Sequence, residues 1–301
     1  MQWTILGAGA IGSLLATQLQ SSGESVNLLD LRRTHHTANA SMGIELKRRD
    51  SSLCFCELPL CTLQELSHSD VLLVTTKVWQ VIHALAPLQG VLPPDCVIIL
   101  LHNGMGTAEW LLDHFPNNPL LAGVTSCGAL KTDPHHVEHT GFGETWLGAL
   151  NQAGESYQHL VPRFEKALGH AGWSENIAER QWIKLAINAV INPMTAVLNQ
   201  RSGILLQHKQ EITGLCAELV PLLNVHGVTK TADELQSIVL QVVERTAQNY
   251  SSMQQDLLHQ RKTEIDYITG YLLQQAEKQG IDLPRHRALY LQIKALESQF
   301  I

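Results

Sequence analysis

No two of the six cysteines (54, 56, 61, 96, 127 and 216) are spaced as C-x-x-C. They follow no metal-ligand spacing and imply no disulfide framework, which leaves reduced cytosolic thiols as the expectation. Fifteen histidines are present, yet none forms an H-E-x-x-H pair. "THH" at 34–36 and "PHHVEH" at 134–139 fall in loop-like or strand-edge stretches, so no metal site is expected. Apolar runs are too short or too interrupted for a bilayer span. The N-terminus opens directly on a strand, without a charged segment before an apolar one, so neither membrane anchoring nor a signal peptide is expected and the location reads as cytoplasmic. Positive charge is also short: 21 Lys and Arg stand against 28 Asp and Glu, for a net charge of -7 and a pI near 6.1. Nothing in that balance attracts nucleic acid or acidic lipid in general. The one dense basic run, "KRRD" at 47–50, reads as a solvated turn between strands. Internal repeats and low-complexity tails are absent as well.

What is present suffices for two cores: 301 residues, 45% of them apolar. The first half alternates short β-branched runs ("WTILGAG", "SVNLLDL", "DVLLVTTK", "CVIILLHNG", "PLLAGVTSCGAL") with helical periods ("IGSLLATQLQSSG", "WQVIHALAPL", "GTAEWLLDHF"). Such alternation predicts βαβ units and a mainly parallel sheet. "HVEHTGFGETWLG" at 136–148 reads as a hairpin and "YQHLVPRFEKALGHAG" as one amphipathic helix. From about 175 the strand signal gives way to helical periods at 177–198, 207–226, 231–248, 263–279 and 284–299. The fold class is therefore α/β: a Rossmann-like, doubly wound parallel sheet over 1–172, followed by an all-helical domain over 173–301.

"GAGAIG" at 7–12 fits G-x-G-x-x-G, follows the first strand and opens a helix. Gly7 permits the tight turn, Gly9 lets the main chain approach a pyrophosphate, and Gly12 allows helix to pack on strand. Gly7, Ala8, Gly9, Ala10, Ile11 and Gly12 together form a dinucleotide loop. The choice of cofactor pulls two ways. Asp30, eighteen residues after Gly12, stands where an acid holds an adenosine ribose 2′-OH, which favours NAD(H). Arg32 and Arg33 follow at once and suit the 2′-phosphate of NADP(H). Lys77, ending the strand "VLLVTTK", reads either as a second positive charge near the nucleotide or as a solvated strand-end lysine. NADP(H) is the expectation.

"QWIKLAINAVINPMTA" at 181–196 is a greasy helix interrupted every fourth residue by Lys184, Asn188 and Asn192. Residues four apart share a helix face, and a buried polar row needs partners. Lysine carries its proton at neutral pH, so Lys184 suits donation to an oxygen gaining negative charge. The asparagines offer amides without adding charge. Pro193 is expected to kink or end this helix. Asn103 lies in a glycine-flanked loop after a strand, the end at which open α/β sheets bind ligands. Ser252 with Gln255 reads equally well as a capping pair, and Glu264 as a first-turn carboxylate.

With "LLHNGMG" (100–106), "KLAINAVINPMTA" (184–196) and "SSMQQDLLHQRKTEIDYITGYL" (251–272) behind an N-terminal "GAGAIG", the chain resembles the 2-dehydropantoate 2-reductase (ketopantoate reductase) family along essentially its whole length. The resemblance implies NADPH-dependent reduction of 2-dehydropantoate to pantoate, a step of pantothenate and coenzyme A biosynthesis. It implies Lys184 as proton donor, with Glu264 in the active site near the nicotinamide ribose, and Ser252 as donor to the substrate carboxylate. Asn103 would contact cofactor and substrate, and the backbone of Ala129 the nicotinamide end. Where the family commonly has a further substrate-contacting asparagine, this chain has Ser202, so that contact passes through backbone or water. The partner expected is this small molecule, and the protein is expected to be a monomer or homodimer. Two other readings are a related β-hydroxyacid or glycerol-3-phosphate dehydrogenase, and a catalytically silent nucleotide sensor. The single positive charge of the Lys-Asn-Asn row suits a monocarboxylate better than a phosphorylated substrate, and a sensor needs neither Lys184 nor Glu264.

Overall fold

The computed structural model describes residues 1–29, 31 and 40–300. The chain forms two compact units: residues 1–102 with 107–177, and residues 103–106 with 178–301.

In the first unit a seven-stranded sheet has the order β11-β10-β7-β6-β5-β1-β2. Its strands are β1 (Gln2–Leu6), β2 (Ser25–Leu29), β5 (Val71–Val74), β6 (Val97–Leu100), β7 (Leu120–Thr125), β10 (Glu144–Ala149) and β11 (His170–Trp173). Every ladder is parallel except β10 on β7. Strand residues alternate between two cores. Trp3, Ile5, Val71, Leu73, Val97 and Ile99 share one with Leu14, Leu15 and Leu19 of α1 (Ala10–Ser21) and Phe164 of α4 (Val161–Leu168). Leu6, Leu72, Val74, Ile98 and Leu100 share the other with Val81 and Leu85 of α2 (Val78–Leu85) and Leu111 of α3 (Ala108–His114). A period of two with both faces buried requires helices on both sides, which is the doubly wound arrangement.

A second sheet of four strands, ordered β4-β3-β9-β8, packs against α1. It comprises β3 (Ser41–Lys47), β4 (Leu53–Pro59), β8 (Gly128–Lys131) and β9 (His136–Gly141). Between β3 and β4 lies the basic turn, with Arg49 and Asp50 exposed. The expected 136–148 hairpin does not form. β9 pairs with β3 and β8, while β10 joins the other sheet against β7. Two alternating runs with a glycine between them satisfy the hairpin pattern, but burial decides the pairing. Thr145 and Leu147 of β10 are fully buried, and Thr145 Oγ1 meets its cross-strand partner Thr125 Oγ1 at 2.8 Å. The single helix expected over 157–172 is also replaced, by a 3₁₀ segment (Gln152–Leu160), α4 and β11. Pro162, in the first turn of α4, lacks the N–H needed to continue the preceding helical segment.

The second unit is helical: α5 (Ile177–Leu198), α6 (Lys209–Val225), α7 (Ala232–Arg245), α8 (Ser252–Leu258), α9 (Thr269–Lys278) and α10 (Pro284–Glu297). Leu185, Ala186, Ala189 and Val190 of α5 share a core with Ile212, Leu219, Val239, Leu272 and Ile293. Pro193 does not end α5, which runs five residues further. A proline inside a helix costs roughly 3 kcal/mol. Burying Val190, Ile191 and Met194 around it returns about 1.5–3 kcal/mol each, so continuing the helix is favoured. No helix among the described residues is long and apolar enough to cross a membrane.

Candidate active site

In the first unit the strand order reverses at β1, with β2 on one side and β5 on the other. The glycine loop leaves the carboxyl end of β1 at this switch point, where open α/β sheets bind ligands. Gly7 has φ +108°, and a Cβ there would stand 2.8 Å from the Thr76 backbone nitrogen. A Cβ on Gly12 would stand 2.0 Å from the Gly7 carbonyl oxygen, so helix and loop pack at glycine distance. Gly9 is different: nothing lies within 4 Å of where its Cβ would be, and as N-cap of α1 it contributes no side-chain cap. The first N–H groups of the helix therefore point past a residue with no side chain. That cradle suits a pyrophosphate. Thr75 Oγ1 donates to the Gly7 carbonyl at 2.7 Å and Lys131 Nζ to the Ala8 carbonyl at 2.6 Å. The sequence pattern gave no sign of either clamp, because both come from distant strands.

Lys77 sits as N-cap of α2, two residues past Thr75, its backbone N–H donating to Gln80 Oε1 at 3.2 Å. Ala129 is half-buried on β8, beside a break in the ladder at Gly128/Ala129. Such a bulge leaves main chain locally unpaired. Asp30, Arg32 and Arg33 lie outside the described residues.

In the second unit Lys184 and Asn188 are half-buried on α5 and Asn192 is 7% exposed. The helix is regular through all three, so they line one face. Among the described residues neither asparagine amide forms a hydrogen bond. The polar contact made at Asn192 uses its carbonyl, which accepts from Thr195 Oγ1 at 3.0 Å. The same hydroxyl is 2.7 Å from Ser251 Oγ. Ser251, not Ser252, caps α8, accepting from the Gln254 N–H, and this leaves Ser252 exposed at the first helical position. The Thr195–Ser251 bond thus fastens the end of the polar row to the start of α8.

Glu264 is 4% exposed, in the turn before α9. Its carbonyl accepts the N–H groups of Tyr267 and Ile268, both at 3.0 Å. The Tyr267 carbonyl in turn accepts the Met105 N–H at 3.0 Å, and a Cβ on Gly104 (φ +79°) would stand 2.8 Å from that carbonyl oxygen. The loop bearing Asn103 is thereby bound to the turn bearing Glu264. Ser202 is buried, its hydroxyl donating to the Asn249 carbonyl at 3.3 Å and its N–H to the same oxygen at 2.9 Å. It faces its own chain.

Comparison with known proteins adds an independent line. The family model described as ketopantoate reductase PanE/ApbA matches residues 3–152, and the one described as ketopantoate reductase PanE/ApbA C terminal matches residues 176–297. The 2-dehydropantoate 2-reductase of Vibrio cholerae is 37% identical over 302 residues, covering 100% of this chain and 99% of that protein. That of Escherichia coli O157:H7 is 38% identical over 301 residues, covering 100% and 96%. Among solved structures, a D-mandelate dehydrogenase with NADH and anilino(oxo)acetate superposes with a TM-score of 0.89 at 23% identity, covering 100% of this chain and 99% of that one. At that identity the likeness speaks to fold alone.

Proposed function

The chain belongs to the ketopantoate reductase PanE/ApbA family, and from that premise we propose that it reduces 2-dehydropantoate to (R)-pantoate, in the cytoplasm, as a monomer or homodimer. The observation that carries this reading is the row Lys184, Asn188, Asn192: three polar side chains on a buried helix, with asparagine amides that the described protein leaves unsatisfied. Among the described residues neither amide is shut off from solvent, so both remain open to a polar ligand. One cation with two neutral amides matches a small 2-oxo acid.

A reduced nicotinamide cofactor supplies a hydride to the carbonyl carbon when bound. The oxygen of that carbonyl then gains negative charge, and we assign Lys184 as the group that stabilises it and donates the proton. Asn188, Asn192 and Asn103 orient the 2-oxo acid, Ser252 donates to its carboxylate, and Glu264 serves the nicotinamide end and the lysine. Ser202 contributes indirectly, through the main chain it holds. Gly7 to Gly12 would hold the cofactor's pyrophosphate, the main chain of Ala129 would meet the nicotinamide end, and Lys77 and Arg32 would supply positive charge near its phosphates. We place nucleotide binding in residues 1–172 and substrate handling in 173–301. NADPH is the preferred donor on the strength of Arg32 and Arg33; Asp30 is the feature that favours NADH.

The test follows cofactor absorbance while 2-dehydropantoate and a panel of other 2-oxo acids are added with NADPH or NADH. Fastest turnover with 2-dehydropantoate and NADPH is expected. Faster turnover of another 2-oxo acid overturns the substrate, and equal or faster turnover with NADH overturns the cofactor preference.

A further inference from the structure

The turn that carries Glu264 is held by the last helix. Thr263, 1% exposed, donates both its N–H and its Oγ1 to a single oxygen, Oε1 of Glu297, at 2.8 and 2.7 Å. Thr263 Oγ1 also accepts the N–H of Ile265 at 3.2 Å. Both neighbours of Glu264 are therefore tied to one carboxylate oxygen from 34 positions further along the chain. The other oxygen, Oε2, pairs with Lys294 at 2.9 Å. Lys294 reaches Asp266 at 3.2 Å, and Asp266 accepts from the Tyr290 hydroxyl at 2.9 Å. Tyr290, Lys294 and Glu297 are spaced by four and three, so one face of α10 supplies the whole set.

Glu297 is itself only 3% exposed. Removing a carboxylate from water is costly even when it is paired, and an apolar residue of similar size commonly fills such a position with equal or better stability. Burial alone would lower the proton affinity of Lys294, but hydrogen bonds to Glu297 and Asp266 outweigh it and raise the ammonium above the ordinary lysine value.

We propose that Glu297 is a positioning residue for the reaction, fixing the main chain on both sides of Glu264 so that its carboxylate is preset toward substrate and cofactor. This rests on the assignment of Glu264 to the active site. The test is a double-mutant cycle on kcat/KM for the 2-oxo acid, with folding checked by thermal melts. Glu297→Ala is expected to lower kcat/KM about 10–100-fold, in line with the sensitivity of catalysis to small misplacements. Glu297→Gln, whose amide oxygen still accepts both Thr263 donors, should remain within about threefold of wild type. In a Glu264→Gln background, adding Glu297→Ala should cost less than about threefold, because the residue it positions is already disabled.

The proposal is overturned if Glu297→Ala costs the same factor in both backgrounds, or if it melts at a lower temperature with kcat/KM unchanged. Should Glu264→Gln alone leave kcat/KM at the wild-type level, the assignment of Glu264 fails first and the proposal with it, and that outcome is distinct from the other two. If Glu297→Ala does not fold, Thr263→Val carries the same cycle. It removes one of the two donors and is expected to lower kcat/KM about fivefold with the same dependence on background.

Discussion

The glycine loop and the polar row use the chain in opposite ways. In the loop the groups we propose to hold the cofactor belong to the main chain, and glycines let it be approached: Gly12 packs where no Cβ fits, and Gly9 leaves its surroundings open. The glycines lie within six consecutive residues, with Thr75 and Lys131 clamping their carbonyls from elsewhere. In the helical unit the groups we propose as functional are side chains, contributed from four stretches of sequence around 103, 184–192, 252 and 264. Hydrogen bonds between distant elements hold them: Thr195 to Ser251, and Met105 to Tyr267. A site made of main chain is encoded largely locally, and its tolerance of substitution differs from one glycine to the next. A site made of side chains is encoded globally, and each member can be removed singly.

That contrast can be strained experimentally. Gly12→Ala is the most damaging change, since its Cβ would stand 2.0 Å from the Gly7 carbonyl oxygen. Overpacking of this kind costs about 1–3 kcal/mol or more, and a thermal melt should show a lowered midpoint together with loss of activity. Gly9→Ala meets no such clash and its φ of −76° is open to alanine, so the melt should stay close to wild type. Cofactor affinity measured by titration calorimetry should nonetheless fall about tenfold, roughly 1.4 kcal/mol, because the methyl stands where the phosphates approach. A Gly9→Ala protein that binds cofactor normally would break the comparison. Asn188→Ala should act on the other side alone, raising KM for the 2-oxo acid by about threefold to tenfold, as expected for loss of one hydrogen bond or two, with cofactor affinity unchanged.

Legibility followed the same division. The alternation of the strand runs gave the doubly wound sheet, since its two faces are both buried, and α5 spans the expected 177–198. Local patterns misled where pairing is decided at a distance. Nothing within 136–148 says that β10 belongs with β7, because the deciding contact is a threonine twenty positions earlier. Pro162 marks the break in the expected 157–172 helix, but its cue was outweighed by the amphipathic period around it. The shared helix face of the polar row was legible from its spacing, and the glycine loop from its motif together with the flanking strand and helix. Lys131 on the Ala8 carbonyl and Glu297 behind Glu264 were not, because each reaches its partner across more than thirty residues. In the sequence Ser252 read equally well as a capping residue, and Glu264 as a first-turn carboxylate. In the structure the capping task at α8 falls to Ser251.

The most direct test of the account is a single-turnover measurement on Lys184→Ala, with NADPH affinity determined on the same sample. The account predicts cofactor binding within about threefold of wild type and oxidation of NADPH by 2-dehydropantoate slowed about 10²–10⁴-fold, the range expected for loss of a general acid. Oxidation at close to the wild-type rate by the folded variant would contradict it, and the polar row would then need another explanation.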